Sequence, residues 1–136
     1  MTDHVLREHS IEIRVRYNET DGQRRVHHAQ YLNYFERGRV ELMRALGHSY
    51  RELEQASNLM LVVAEMNVRY LAAAEFDDLL KLTTRVTRSR GVRIYHEYEL
   101  VNLLGPKPTP VVQASSVIAC VDREGKVRPL PDFLRV

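Results

Sequence analysis

The chain has 136 residues, enough for one domain, residues 1–136, that buries about two-thirds of its unfolded surface. Hydrophobic and charged contents of 44% and 28% are those of an ordinary globular chain, and a net charge of +2 is too small a surplus to argue for a nucleic-acid partner. The single cysteine, Cys120, allows no internal disulfide and fits a reducing, cytoplasmic setting. The opening MTDHVLREHS is charged and lacks an apolar core, so no signal peptide is expected. No apolar run approaches the roughly 18 residues of a membrane span.

The first element is a strand. Ile11, Ile13, Val15 and Tyr17 alternate with Glu12, Arg14 and Arg16, the period of a sheet with one buried face. A polar loop follows, and then the only long helical pattern. Leu32, Phe35, Leu42, Met43 and Leu46 form its apolar stripe, with Tyr31 and Gly38 beside it. Gly38 costs about 1 kcal/mol against Ala in a helix interior, so its place near the stripe suggests close approach to another backbone. Gly47 marks the stop. The start, His27-His28-Ala29, has no Ser, Thr, Asp or Asn cap, so its free N–H groups are expected to need water or an outside partner.

His48 to Asn58 reads as a shorter helix with Ser49 and Glu52 at capping-box spacing. Leu59 to Leu71 is a long strand, predicted to carry Val62, Ala64, Met66, Val68 and Tyr70 on one face. Asp78 to Arg88 and Val92 to Leu103 are two further strands, joined by a turn at Ser89-Arg90-Gly91. Gly105 to Pro110 holds three prolines and is a loop. Val111 to Val121 is a mostly apolar strand, expected to be covered on both faces. Arg123 to Lys126 is a hairpin-like turn before a Pro-containing tail.

One strand, a long helix and then four strands is an α+β pattern. The helix covers one face of an antiparallel sheet, and no second long helix exists to cover the other. Val112, Ala114, Ile118 and Cys120 on the last strand are read as pointing both ways, which places an oligomer interface on the outer face.

Several residues carry candidate chemistry. Asp21, in Thr20-Asp21-Gly22, is either a turn residue or a carboxylate placed to act beside an uncapped helix start, whose N–H groups favour negative charge. Fixed amide donors at such a helix end can stabilise an oxyanion, at about 2.7–4 kcal/mol for one donor. Two adjacent histidines without further ligands do not make a metal site, and His48 and His96 add none at suitable spacing, so a metal enzyme is rejected. Arg88, Arg90 and Arg93 are either a solvated basic hairpin or a phosphate dock, since Arg pairs bidentately with phosphate. Glu36 and Arg39, three apart, are expected to pair at the surface. Ser115 and Ser116 have no His-Asp arrangement near them.

The stretch YNETDGQRRVHHAQYLNYFERGRVELMRALG, Tyr17 to Gly47, resembles the hotdog-fold acyl-CoA thioesterases of the 4-hydroxybenzoyl-CoA type, including those associated with the Tol–Pal system. Tyr17 matches the family's aromatic, Glu19 its first acid and Asp21 its second, catalytic acid. Val26, His27-His28, Tyr31, Phe35 and Glu36 match the rest. Leu61 to Leu80 resembles the family's strand-turn-strand segment. Arg24 stands where the family usually has Gly, so the loop is expected to lose cheap access to positive φ there.

The resemblance implies an antiparallel curved sheet of about five strands wrapped around one long helix, paired as homodimers or homotetramers. It implies hydrolysis of acyl- or aroyl-CoA thioesters with no cofactor, CoA being substrate. Asp21 would be general base or nucleophile. The backbone N–H of His28 would polarise the thioester carbonyl, and its imidazole would help orient substrate. Basic residues such as Arg88, Arg90 and Arg93 would meet the nucleotide. An acyl-carrier-protein thioesterase and a non-catalytic acyl-CoA-binding module are the rivals.

Overall fold

A computed structural model describes residues 7–135. The elements in order are β1 (Glu8–Arg14), α1 (Gln30–Ala45), α2 (Tyr50–Ser57), β2 (Leu59–Tyr70), β3 (Leu79–Arg90), β4 (Arg93–Asn102) and β5 (Thr109–Asp122), with short 3-10 turns at Tyr17–Glu19 and Asp132–Leu134. The strands form one antiparallel sheet in the order β1-β3-β4-β5-β2. This is the expected α+β arrangement, with α1 laid on the concave side of the sheet.

α1 buries Tyr31, Tyr34, Phe35, Gly38, Arg39, Leu42 and Met43, a stripe at alternating spacings of three and one that follows the helical period. Phe35 stacks on Tyr98 of β4 at 4.6 Å between ring centroids. Its neighbours in the main core include Ile13, Val15, Leu80, Leu82, Leu100 and Val112. A second cluster lies under the C-terminal half of α1. There Met43 meets Ile94, Ile118, Cys120 and the tail residues Leu130 and Leu134.

The structure corrects several expectations on the helix. Leu32 is 42% exposed and faces away from the core, its place taken by Tyr34 and Phe35. Arg39 is buried, at 7% exposure, and its guanidinium donates to Tyr98 Oη at 2.9 Å rather than pairing with Glu36 at the surface. Gly38 does mark a close approach, to Leu82 and Thr84 of β3. α2 begins as its spacing predicts, with Ser49 accepting the N–H of Glu52.

Three corrections concern the strands. Tyr17 belongs to a 3-10 turn and is 70% exposed, because β1 ends at Arg14. In β2 a bulge at Ala64 shifts the register against β5, and an extra residue moves every later side chain to the other face. Leu61 and Val63 therefore share the helix side with Met66, Val68 and Tyr70, opposite Cys120, Ile118, Ser116, Ala114 and Val112 of β5. Finally, Val112, Ala114, Ile118 and Cys120 all lie on that one side, since β5 keeps strict alternation there. β5 is nonetheless apolar on both sides, since Val117, Ala119 and Val121 alternate onto the outer face and Ala119 and Val121 are buried; farther along the sheet that face carries charge, with Arg85 paired to Glu8 and Glu97. The apolar residues left open follow the sheet edge along β2, where Val62, Val63 and Tyr70 are exposed.

Candidate active site

The loop before α1 is a closed structure. Thr20 and Val26 form an antiparallel bridge, as do Arg25 and Glu75. Val26 N–H donates to Ala74 O at 2.8 Å and Phe76 N–H to Arg24 O at 3.3 Å, so the β2–β3 connection holds the loop from outside. Within it, Asp21 N–H donates to Arg25 O at 2.8 Å and Arg24 N–H to Asp21 O at 3.0 Å. Arg24 completes this turn at φ +68°. The backbone thus adopts the left-handed region although a side chain stands there. The bridges at Thr20–Val26 and Arg25–Glu75 hold a residue that would otherwise avoid that region, at a cost of about 1–3 kcal/mol.

The Asp21 carboxylate is fixed by the same turn. Its Oδ1 accepts the N–H of Gln23 at 2.8 Å and of Arg25 at 3.3 Å. The Gln23 amide foremost, and then the Arg25 amide and the Arg25 charge, hold its pKa below the ordinary aspartate value. Asp21 is both the turn residue that composition suggests and an exposed, ionised group.

Glu19 ties this loop to the helix. Its Oε1 accepts the Arg16 N–H at 2.8 Å and the Tyr34 hydroxyl at 2.8 Å, and its Oε2 accepts from Gln30 Nε2 at 3.4 Å. Tyr34 is fully buried, and burial with the Glu19 bond holds its phenol well above the usual range. Glu19 is therefore a positioning residue. The sequence showed it only as an acid two residues before Asp21.

The helix start has a partner after all. His27 Nδ1 accepts the Ala29 N–H at 3.2 Å, and His27 O accepts the Gln30 N–H at 2.8 Å. One imidazole thus satisfies the N–H of the cap residue Ala29, which itself supplies no side-chain cap. Among the described residues, the His28 N–H has no acceptor. The His28 carbonyl accepts the Tyr70 hydroxyl at 3.0 Å, which anchors this turn to the end of β2. The His27 and His28 rings stack at 4.4 Å. Asp21 and His28 thus lie on one anchored loop.

The Arg88, Arg90 and Arg93 group is elsewhere. Arg88 is aligned with Tyr95 and lies over its ring at 4.7 Å, while Arg90 is aligned with Arg93. All three are exposed, and none makes an ion pair among the described residues. They stand at the far end of the β3–β4 hairpin from the Asp21 loop, which adjoins Asp78 at the start of β3. From Leu79 to Arg88 is nine steps along a strand, or about 30 Å at 3.3 Å each. One protomer does not bring the two groups together. No group of three or more His, Cys, Asp or Glu suited to a metal occurs among the described residues.

A five-stranded antiparallel sheet with one long helix laid against it is the hotdog arrangement of the thioesterases. The family model of the thioesterase-like superfamily matches residues 15–136, and the chain belongs to that family. It is 36% identical over 121 residues to the acyl-CoA thioesterase YbgC of Haemophilus influenzae, covering 89% of this chain and 85% of the relative. Among solved structures, a probable thioesterase from Bartonella henselae superposes with a TM-score of 0.85 at 34% identity, over 91% of this chain and 99% of that one. The 4-hydroxybenzoyl CoA thioesterase of Pseudomonas sp. strain CBS-3 shares the fold, with a TM-score of 0.86 at 15% identity over 93% and 96% of the two chains.

Proposed function

We propose that this chain hydrolyses acyl-CoA thioesters to a free acid and CoA, with Asp21 driving attack and the His28 N–H holding the carbonyl oxygen. The observation that carries the reading is the Asp21 carboxylate, kept ionised by backbone amides on a loop anchored at the N-terminus of α1. In a family of thioesterases that is where a base or nucleophile is needed. Water, deprotonated by Asp21, adds to the thioester carbon; alternatively the carboxylate itself adds and water later cleaves the anhydride. In both routes negative charge moves onto the carbonyl oxygen, where a preorganised amide stabilises it most. The C–S bond then breaks and the departing CoA sulfur takes up a proton. The His28 imidazole, exposed on the same turn, orients the substrate. Asp21→Asn tests the assignment. Turnover should fall by about 10²–10⁴, the usual share of a positioned acid–base group, with the fold retained. A loss of less than about tenfold removes Asp21 from the chemistry.

The working unit in this reading is a homodimer or homotetramer of single-domain subunits acting in the cytoplasm. Its support is β2, an edge strand whose exposed Val62, Val63 and Tyr70 adjoin unpaired backbone groups that invite a second strand. Sedimentation at micromolar concentration should show an oligomer; a monomer contradicts this arrangement.

A further inference from the structure

The helix end remote from Asp21 covers a cavity of about 330 Å³. Its walls are apolar, from Leu42 and Met43 of α1, Leu61 of β2, Ile94 of β4 and Phe133 of the tail. Several polar side chains also line it, among them His48 and Tyr50, and two of these, Arg39 and His96, are not accounted for by the thioester chemistry. Both are buried, Arg39 at 7% and His96 at 6% exposure.

Arg39 has neutral partners only, in Tyr50 and in Tyr98, whose hydroxyl is 2.6 Å from Ser116 Oγ. Among the described residues no carboxylate lies at ion-pair distance from it. At the cavity rim the one carboxylate, Asp132, is exposed and paired with Arg135 at 3.3 Å. A buried guanidinium with five donors and no anion is an expensive arrangement. Among the described residues the buried His96 Nδ1 atom has no hydrogen-bond partner, a second uncompensated group in the same wall. A monoanion with hydrogen-bond acceptors would satisfy both.

We propose that this cavity binds a small monocarboxylate with an apolar body, its carboxylate on Arg39 and His96 and its chain among Leu42, Met43, Leu61 and Phe133. A carboxylate matches the guanidinium fork bidentately and can accept from a neutral imidazole N–H. The volume is at the lower end of ordinary small-molecule sites, which favours one short chain over a nucleotide. A free carboxylic acid is also the class of product that thioester hydrolysis releases, so the site is placed to respond to product. It lies at the opposite end of α1 from Asp21 and does not depend on the role proposed for that residue.

Titration of the full chain with octanoate and with octan-1-ol, followed by calorimetry and by side-chain NMR of His96 and Arg39, tests it. Octanoate should bind about ten- to hundredfold more tightly than the alcohol, the usual worth of a hydrogen-bonded charge. It should move the His96 and Arg39 signals, and Asp21→Asn should leave its affinity unchanged. Equal binding of acid and alcohol, or shifts confined to the Asp21 loop, overturns the proposal. Arg39→Met should abolish the preference for acid. Where that variant does not fold, Leu46→Trp, which fills the cavity from a half-exposed wall position, should abolish octanoate binding; retention of binding by the folded variant overturns it equally.

Discussion

Gly38 of α1 and Thr84 of β3 are packed so closely that no Cβ fits between them. A Cβ built on Gly38 would run into Thr84 Oγ1 and lie 2.8 Å from Leu82 Cδ2. Two effects oppose each other in Gly38→Ala. Helix propensity favours Ala by about 1 kcal/mol, while overpacking of a buried contact costs about 1–3 kcal/mol. Thr84 is rigid in a central strand, and both residues are buried, so the clash should win. We expect a net loss of about 1–2 kcal/mol in denaturant unfolding. Thr84 Oγ1 has no hydrogen-bond partner, so Thr84→Ala should cost little and should rescue Gly38→Ala in a double-mutant cycle. Additive single effects would show that the contact does not set the helix height.

That glycine was visible in the sequence because it breaks helix propensity beside an apolar stripe, and the α2 cap was visible as spacing alone. What was hidden depends on partners distant in sequence. Arg39 reads as a surface cation until Tyr98, fifty-nine residues on, accepts its proton. Tyr34, outside the apolar stripe read from the sequence, is buried with its hydroxyl on Glu19. The bulge at Ala64 leaves no mark in composition, so the alternation of β2 was read through it in one phase. At the site, the Asp21 turn was legible from Asp-Gly chemistry and the family resemblance. The survival of positive φ at Arg24 was not, since it follows from backbone bonds to residues 74–76 that no local rule contains.

His96 gives the protein a pH dependence that can be signed. Burial first, and the Arg39 charge second, push its pKa down to about 3 from 6.5. Between those values the unfolded chain holds a proton that the folded chain does not. Stability is therefore full above pH 6.5 and falls as the pH drops toward 3, with a slope of up to about 1.4 kcal/mol per pH unit from this residue. Carboxylates such as Asp21 and Asp122, whose pKa values are lowered by backbone amides, add to the acid loss at lower pH. His96→Phe removes the imidazole contribution alone. Urea unfolding across this range should show a flatter profile for the variant; parallel profiles would mean that His96 is protonated in the folded protein.

The Arg88, Arg90 and Arg93 group should bind the phosphates of CoA, in an oligomer where it reaches the Asp21 loop of another subunit. The three cations are exposed and lie within six residues, around a turn whose Gly91 adopts φ +63°. Among the described residues, only Arg88 of the three has a partner that holds it, the ring of Tyr95, and a cation over a ring keeps donors free for phosphate. Such attraction weakens as salt screens it. Because the phosphates are remote from the thioester, their binding is the same in ground and transition states. Neutralising all three to Ala should raise KM for acyl-CoA with little change in kcat. The effect should vanish for an acyl-pantetheine, which carries no nucleotide. It should also shrink in the parent enzyme as ionic strength rises. Equal loss on both substrates would point to damage elsewhere, and no loss on acyl-CoA would leave the group a solvated basic hairpin.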